Sequence, residues 1–445
     1  AKRLDAGSPR NFQYAVCWSA APRSTQVEVR PRSRLKLLVL SPVVPDAPSD
    51  GDRLRLYHWL EYLEPRHELH LACFADLRRH SDFQQGGLLG RLARVVRVPR
   101  SRWGRRLAAA ARLGSTLPTS VASEADGRMG KAVDALLSDS THPFDAVLGY
   151  RLKMAPYALR FRGPRFLDYT DSMTRYTERL AAERAFQGTW RTRVNAWSLR
   201  IQARRLAAYE AWCAGHFDAG FFNAAGDRDA VAAMNPSTSE ALHVAANGVD
   251  WKFFAPPRSG RPACDPRGLL FVGNLAYAPN ADAVVWFARS VLPLVRAQVP
   301  NAHLTVVGGG GERLRRAFQG LPGLRFTGFI QDTRPLLWGS ALSVCPVRTG
   351  AGRQNKLLEA FAAGLPAVAT PLAAEGAEAR NGTHLLVAGN AGAFSGAVLR
   401  LLRDPALGRR LAKRACALAR ESYDWTANAK SMETAMLAGA RRCPW

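Results

Sequence analysis

The residues best placed to do chemistry lie at positions 346–376, PVRTGAGRQNKLLEAFAAGLPAVATPLAAEG. Here an apolar run ends in a glycine-containing loop that opens a helical pattern. Backbone N–H groups at a helix start lack helical partners and attract anions. Gly350 and Gly352 let a ligand approach the main chain, and Arg348, Arg353 and Lys356 set positive charge beside it. The chemistry this suits is the cradling of a diphosphate. Glu359 follows Gly352 by seven residues, about two helical turns, which brings it to the loop's side of the helix. A carboxylate there can accept hydrogen bonds from sugar hydroxyls. The plainer reading is a helix with one exposed glutamate, because a single glycine-rich loop is weak evidence.

A second candidate is LDYTDS at 167–172, where Asp168 and Asp171 close an apolar run. Asp171 or Ser172 can equally start a helix as its cap. Metal chemistry has no support: the seven cysteines and nine histidines show no C-x-x-C pair, and HELH at 67–70 lacks the i, i+4 spacing of a metalloprotease helix. No metal, cofactor or disulfide framework is therefore expected, and a reducing cytoplasm suits the cysteines.

Elements must hold these candidates. From residue 35 onward, short β-rich runs alternate with longer helical patterns, the signature of parallel sheets covered by helices on both faces. LKLLVLS at 35–41 reads as a first strand, residues 54–63 as a helix and LHLACF at 69–74 as a second strand. Further strands are expected at 94–98, 146–149, 165–168 and 219–223, with a long helical stretch over 174–213. Breaks at 235–249 and 256–266 mark a domain boundary. The alternation then restarts with strands LLFVG, LTVVG, RFTG, SVCPV, AVAT and LLVA, and with helices over 282–298 and 355–363. The expected organisation is a basic extension at 1–34, one Rossmann-like domain at 35–240, a second at 241–424, and a terminal helix at 425–445 long enough to cross back. A ligand is expected in the cleft where the two sheets' carboxyl ends face each other.

Charge is the outlier. The 445 residues carry 62 Lys+Arg against 36 Asp+Glu, a net +26. Eight arginines with no acid lie between 91 and 112, and eight against two glutamates between 175 and 205. Nucleic acid, anionic lipid and phosphorylated sugar donors all respond to such fields, although a solvated basic face explains most of the charge. Trp190, Trp197, Tyr209 and Trp212 interleave with arginine in the second stretch, as on a membrane-resting surface, but core packing explains them more simply. No apolar run approaches the roughly 18 residues of a membrane span, and residues 1–34 lack the apolar core of an export signal.

The 346–376 block, VAANGVD at 244–250, LLFVGN at 269–274, APNADAVVWF at 278–287 and VVGGG at 306–310 together resemble the retaining family 4 glycosyltransferases of GT-B fold. SPVVPDAPSDGDRLR at 41–55 resembles the first loop of their exosortase- and exopolysaccharide-associated subgroup. The resemblance runs from about residue 35 to the end. It implies an α/β GT-B fold and metal-independent, retaining transfer from a nucleotide-sugar donor bound mainly by the second domain. Glu359 matches the second glutamate of the family's E-x7-E motif, which holds the ribose. The first falls at Ala351, a departure that takes away the usual donor-sugar contact. Asn274 and Pro279 stand where many members carry the diphosphate-gripping Arg and Lys, so Arg348 and Lys356 are expected to supply that charge. Gly51 matches the loop that brings backbone close to donor phosphate and acceptor, with Arg55 one turn into the helix and Asp168 also on the acceptor side. Asp171 is expected to hydrogen-bond the acceptor hydroxyl or the transferred sugar.

The leading expectation is a cytoplasmic hexosyltransferase acting at the inner membrane face on a glycan or lipid-linked acceptor. The competing ones are an inactive relative, a nucleotide-sugar epimerase on the same scaffold, and a polyanion-binding protein. No helix-turn-helix, zinc-finger or RNA-binding signature accompanies the charge, which ranks nucleic acid last.

Overall fold

A computed structural model describes residues 34–45, 51–75, 87–100, 116–138, 143–186, 189–257, 263–350 and 353–442. The expected basic extension thus lies outside the described residues, apart from Arg34. The β-rich runs form two parallel sheets. The first contains β1 (Lys36–Ser41), β2 (Glu68–Ala75), β3 (Arg94–Pro99), β4 (Ala146–Tyr150), β5 (Arg165–Thr170), β6 (Ala219–Phe222) and β7 (Leu242–Val244), in the order β3-β2-β1-β4-β5-β6-β7. The second contains β8 (Asp265–Val272), β9 (His303–Val307), β10 (Leu324–Gly328), β11 (Ser340–Cys345), β12 (Ala367–Ala369) and β13 (Leu386–Val387), ordered β10-β9-β8-β11-β12-β13. Each order reverses beside its first strand, at β1/β4 and β8/β11, and such switch points open the crevices in which α/β proteins bind ligands.

β1 shows why these runs become central strands. Leu37 and Val39 face one core, Leu38 and Leu40 the other, and all four are fully buried. A strand covered on both faces needs apolar residues in succession rather than in alternation. The register Val39↔Leu71 and Val39↔Leu148 keeps neighbouring side chains on matching faces. Helix α1 (Gly51–Leu63) covers one face with Leu56, Trp59, Leu60 and Leu63, the i, i+3, i+4, i+7 stripe of an amphipathic helix.

Helices α2 (Met173–Phe186) and α3 (Trp190–Ala214) divide the predicted 174–213 stretch into a pair. Helix α4 (Ala278–Trp286) starts ahead of the predicted position 282 because Pro279, in its first turn, needs no N–H partner. The helical path continues through a π turn, Phe287–Val291, where Pro293 has no N–H to give the carbonyl four residues back. Helix α5 (Asn355–Ala362) follows β11, and α6 (Trp425–Arg442) ends the described chain. Ala429, Met432 and Met436 of α6 join the core beneath α1, so the chain returns to the first sheet.

The boundary expected at 240/241 needs correcting. β7 pairs with β6, with Phe221 opposite His243, so the first sheet's chain runs through Val244. No helix of the described residues is long and apolar enough to cross a membrane.

Candidate functional site

On the second sheet, the loops after β8, β9 and β11 converge. Gly273 N donates to Val307 O at 2.9 Å and Leu275 N to Gly309 O at 2.8 Å, which lays one loop across the other. The crossing requires glycine: at Gly308 (φ 144°) a Cβ would sit 2.0 Å from Gly273 O. Asn274 builds this turn, its Oδ1 accepting from Ala276 N at 2.9 Å and its carbonyl from Asn280 Nδ2 at 2.9 Å. Gly350, at φ 115°, lies beside Tyr277 and Pro279, and its carbonyl accepts from Arg179 Nη1 of α2 at 3.3 Å. Gly352 and position 351 lie outside the described residues. Gly51 opens α1, but the 46–50 loop before it is likewise outside them.

Helix α5 buries Leu357, Leu358 and Phe361 in the second core. That anchorage leaves Lys356 and Glu359, three residues apart, as neighbours on another side of the helix. Lys356 packs under the crossed loops, where a Cβ on Gly273 would come within 3.2 Å of its Cε, and Nζ donates to Gln354 Oε1 at 2.9 Å. Burial lowers the lysine's pKa, partly offset by Cys345 and Glu359, and raises that of Glu359, partly offset by Lys356. No ion pair joins the two among the described residues. Each charge is desolvated and incompletely compensated, the condition a polar ligand relieves.

Arg348 sits elsewhere than expected. Its guanidinium grips Asp282 of α4 with two contacts of 2.9 Å from Nη2 and lies 5.2 Å from the Trp286 ring, on a half-exposed rim. It is committed to a carboxylate 66 residues away, not held free for a phosphate.

On the first sheet, Arg151 (φ 70°) and Thr170 (φ 66°) occupy left-handed conformations at the ends of β4 and β5. For a β-branched threonine this is strained backbone. It is held by Arg151 N donating to Asp168 O (2.6 Å) and Thr170 N to Asp168 Oδ1 (2.8 Å). Asp171 follows at the end of β5, its N–H donating to Tyr169 O at 2.9 Å. One Asp171 oxygen, Oδ1, is buried without a hydrogen-bond partner. Burial and the Asp227 carboxylate push its carboxyl up to about 6, against the pull of Arg151, Arg55 and an Asn223 hydrogen bond. Asp171 is not the helix cap. That role falls to Ser172, the other residue expected to start the helix, whose Oγ accepts from Arg175 N at 3.3 Å. Glu210 of α3 supports the same turn, accepting from Met173 N (2.7 Å), Thr174 Oγ1 (2.7 Å) and Ser172 Oγ (3.0 Å).

Arg55 and Asp168, expected on the acceptor side, are corrected by the geometry. Both side chains are fully buried and pair through Arg55 Nε–Asp168 Oδ2 (2.7 Å) and Nη2–Oδ1 (3.1 Å). Arg55 Nη1 also donates to Ala245 O (2.6 Å) and Asn247 Oδ1 (3.0 Å), and the guanidinium lies 4.0 Å from the Trp59 ring. The pair is architecture and offers nothing to an acceptor.

Contacts that spacing did not foresee join the two sheets, and one of them takes up Arg353, expected beside the anion cradle. Asn247 Nδ2 donates to Asn355 Oδ1 at the start of α5 (3.2 Å). The buried Arg353 guanidinium donates through Nη2 to Asn223 O and Glu378 Oε1, both at 3.2 Å, and lies 4.2 Å from the Tyr423 ring. Arg175 of α2 binds Asp227 on its own side (2.9 Å) and, across the gap, Glu375 (3.3 Å). Among the described residues no three His, Cys, Asp or Glu side chains gather as a cation-binding group.

Two parallel-stranded Rossmann-like sheets meeting across such a gap constitute the GT-B fold of glycosyltransferase structures. More narrowly, residues 266–404 match the family model Glycosyl transferases group 1. The chain is 26% identical over 164 residues to a 44.6 kDa protein in the cps region of Klebsiella pneumoniae, 35% of this chain and 42% of that protein. It is 31% identical over 220 residues to phosphatidyl-myo-inositol mannosyltransferase of Mycobacterium leprae, 47% of this chain and 57% of that one. It thus spans about half the length of these curated relatives. Among solved structures, Anabaena Alr3699/HepE in complex with UDP aligns over 91% of this chain and 100% of its own, at TM-score 0.62 and 16% identity, a likeness of fold.

Proposed function

We propose that the chain is a glycosyltransferase that binds a nucleotide-sugar donor beneath the crossed loops of the second sheet. It passes the sugar, with retention of anomeric configuration, to a glycan or lipid-linked acceptor presented from the first sheet. The observation that carries this reading is Lys356 and Glu359, two half-buried opposite charges that make no ion pair with each other, neighbours on α5 with Lys356 packed under a glycine-lined loop crossing. Glu359 accepts hydrogen bonds from the donor's ribose hydroxyls. Lys356, with loop N–H groups, meets the charge that grows on the departing diphosphate. Asp171, ionised for the most part at neutral pH with its pKa near 6, accepts a hydrogen bond from the acceptor hydroxyl or the moving sugar. No metal enters this scheme, and transfer is expected to persist in a chelator.

The family match over 266–404 supports donor binding by the second sheet. The mannosyltransferase relative, named for phosphatidyl-myo-inositol, supports a lipid-linked acceptor, and the HepE complex supports a UDP-type donor. The proposed location is the cytoplasmic face of the membrane.

A thermal-shift screen against UDP, GDP, ADP and their sugar conjugates tests the reading, because a ligand bound only by the native state raises its melting temperature. One base should stand out, and Glu359→Ala should lose the shift. No stabilisation by any nucleotide at millimolar concentration would instead favour an inactive relative, in keeping with Ala351. Binding with epimerised donor and no acceptor product would favour the epimerase.

A further inference from the structure

The second arginine-rich stretch is not spent on the core. Helix α3 buries Ala196, Ala203, Leu206, Tyr209 and Cys213 on one side. On the opposite side, Trp190, Val194 and Trp197 stand 71%, 58% and 65% exposed. Their spacing of four and three residues stacks them as one stripe along the helix. Phe186, at the end of α2, is 94% exposed on the way into the same helix. Tyr209 is buried as core packing predicts, so the aromatics of this stretch divide into two populations. A helix that turns two tryptophans to water opposite its buried face carries a stripe that packing does not account for.

The surroundings of the stripe identify its occupant. Between residues 185 and 209 there are five arginines and no acid. At helical spacing, Arg193, Arg200 and Arg204 border one side of the stripe, and Arg191 and Arg205 the other. Arg191, Arg193, Arg200 and Arg204 are exposed. Tryptophan favours the boundary between headgroups and acyl chains, and arginine the anionic headgroups, so apolar residues flanked by arginine fit a bilayer surface. A second copy of the chain would bring two such arginine borders together, which like-charge repulsion opposes.

We propose that the outer stripe of α3 is an interfacial docking surface for an anionic lipid bilayer, with Trp190, Val194 and Trp197 inserted and the flanking arginines on phosphate headgroups. The inference does not depend on the donor site, because no residue it uses belongs to that site. The test is co-sedimentation of the full chain with vesicles of phosphatidylcholine alone or mixed with phosphatidylglycerol, with tryptophan emission recorded. Expected are binding to the mixed vesicles, a blue-shifted emission and weakening by salt. A Trp190→Ser/Trp197→Ser variant should bind about tenfold more weakly or worse. Arg193→Gln/Arg200→Gln/Arg204→Gln should lose the preference for anionic lipid. All these side chains are exposed, so both variants should keep the parent melting temperature and any nucleotide-induced shift, which separates this test from that of the donor site. The proposal is overturned by equal binding to both vesicle types, by no vesicle binding, or by a tryptophan variant that binds as the parent does. It is overturned as well if the tryptophan variant abolishes only self-association or only binding to single-stranded nucleic acid.

Discussion

The two sheets each hold an acid and a base near the gap between them, in opposite conditions. Arg55 and Asp168 are fully buried, joined at two points, and their remaining donors and acceptors are used by Ala245, Asn247 and Thr170. Lys356 and Glu359 are half-buried, with burial shifting both pKa values toward the neutral form, yet they are not joined. A buried charge without full compensation costs stability, whereas a saturated pair tolerates burial. The difference separates a structural pair from one that gains when a ligand arrives.

The largest effect should follow from breaking the saturated pair. Arg55→Met leaves Asp168 buried and alone, and urea denaturation should show a loss of about 3–5 kcal/mol; a loss below about 1 kcal/mol would dissolve the contrast between the sheets. Glu359→Gln should do the reverse. It removes a disfavoured charge, so stability at pH 7 should hold or rise, while nucleotide affinity read by calorimetry falls about tenfold or more.

Asp171 sharpens the comparison through pH. Its folded pKa of about 6 lies above the ordinary 3.8. The folded state therefore binds more protons between these values, and stability falls as pH rises across that window. Asp171→Asn should be more stable than the parent by about 1–3 kcal/mol at pH 7, with the advantage gone below about pH 4. Equal pH profiles of the two melting temperatures would count against the shift. The smallest effect belongs to Arg348→Ala. It removes a half-exposed pair worth about 0–1 kcal/mol and should change nucleotide affinity by less than about threefold, a clear departure from the role its position suggested.

Much of the architecture was legible because strands buried on both faces are continuous apolar runs. LKLLVL and LLFV stand out from any helical period. β7 escaped notice because three residues, Leu-His-Val, carry no period and sit inside a turn-rich stretch. The candidate site was legible only where one helix holds its residues together. Lys356 and Glu359 needed local spacing alone, but Arg55 and Asp168 are separated by 113 residues, and Arg348 by 66 from the carboxylate that claims it. Partners chosen by topology leave no trace in local spacing, so a basic residue near a glycine loop reads the same whether free or taken. Asn247 lay within a recognised motif, yet its bridge to Asn355 became visible only once the sheets were side by side.

The return of α6 to the first sheet means that the chain passes between the two halves twice, once after β7 and once before Trp425. The two passages are fastened together: Val249 N donates to Tyr423 O at 2.7 Å, and a Cβ on Gly248 would fall 2.7 Å from Trp425 N. Two tethers pinned at one spot act as the knuckle of a clasp. Opening the gap by drawing the halves apart would tear that knuckle, whereas opening it by rotation about the knuckle would break only the side-chain bridges of Asn247, Arg353 and Arg175.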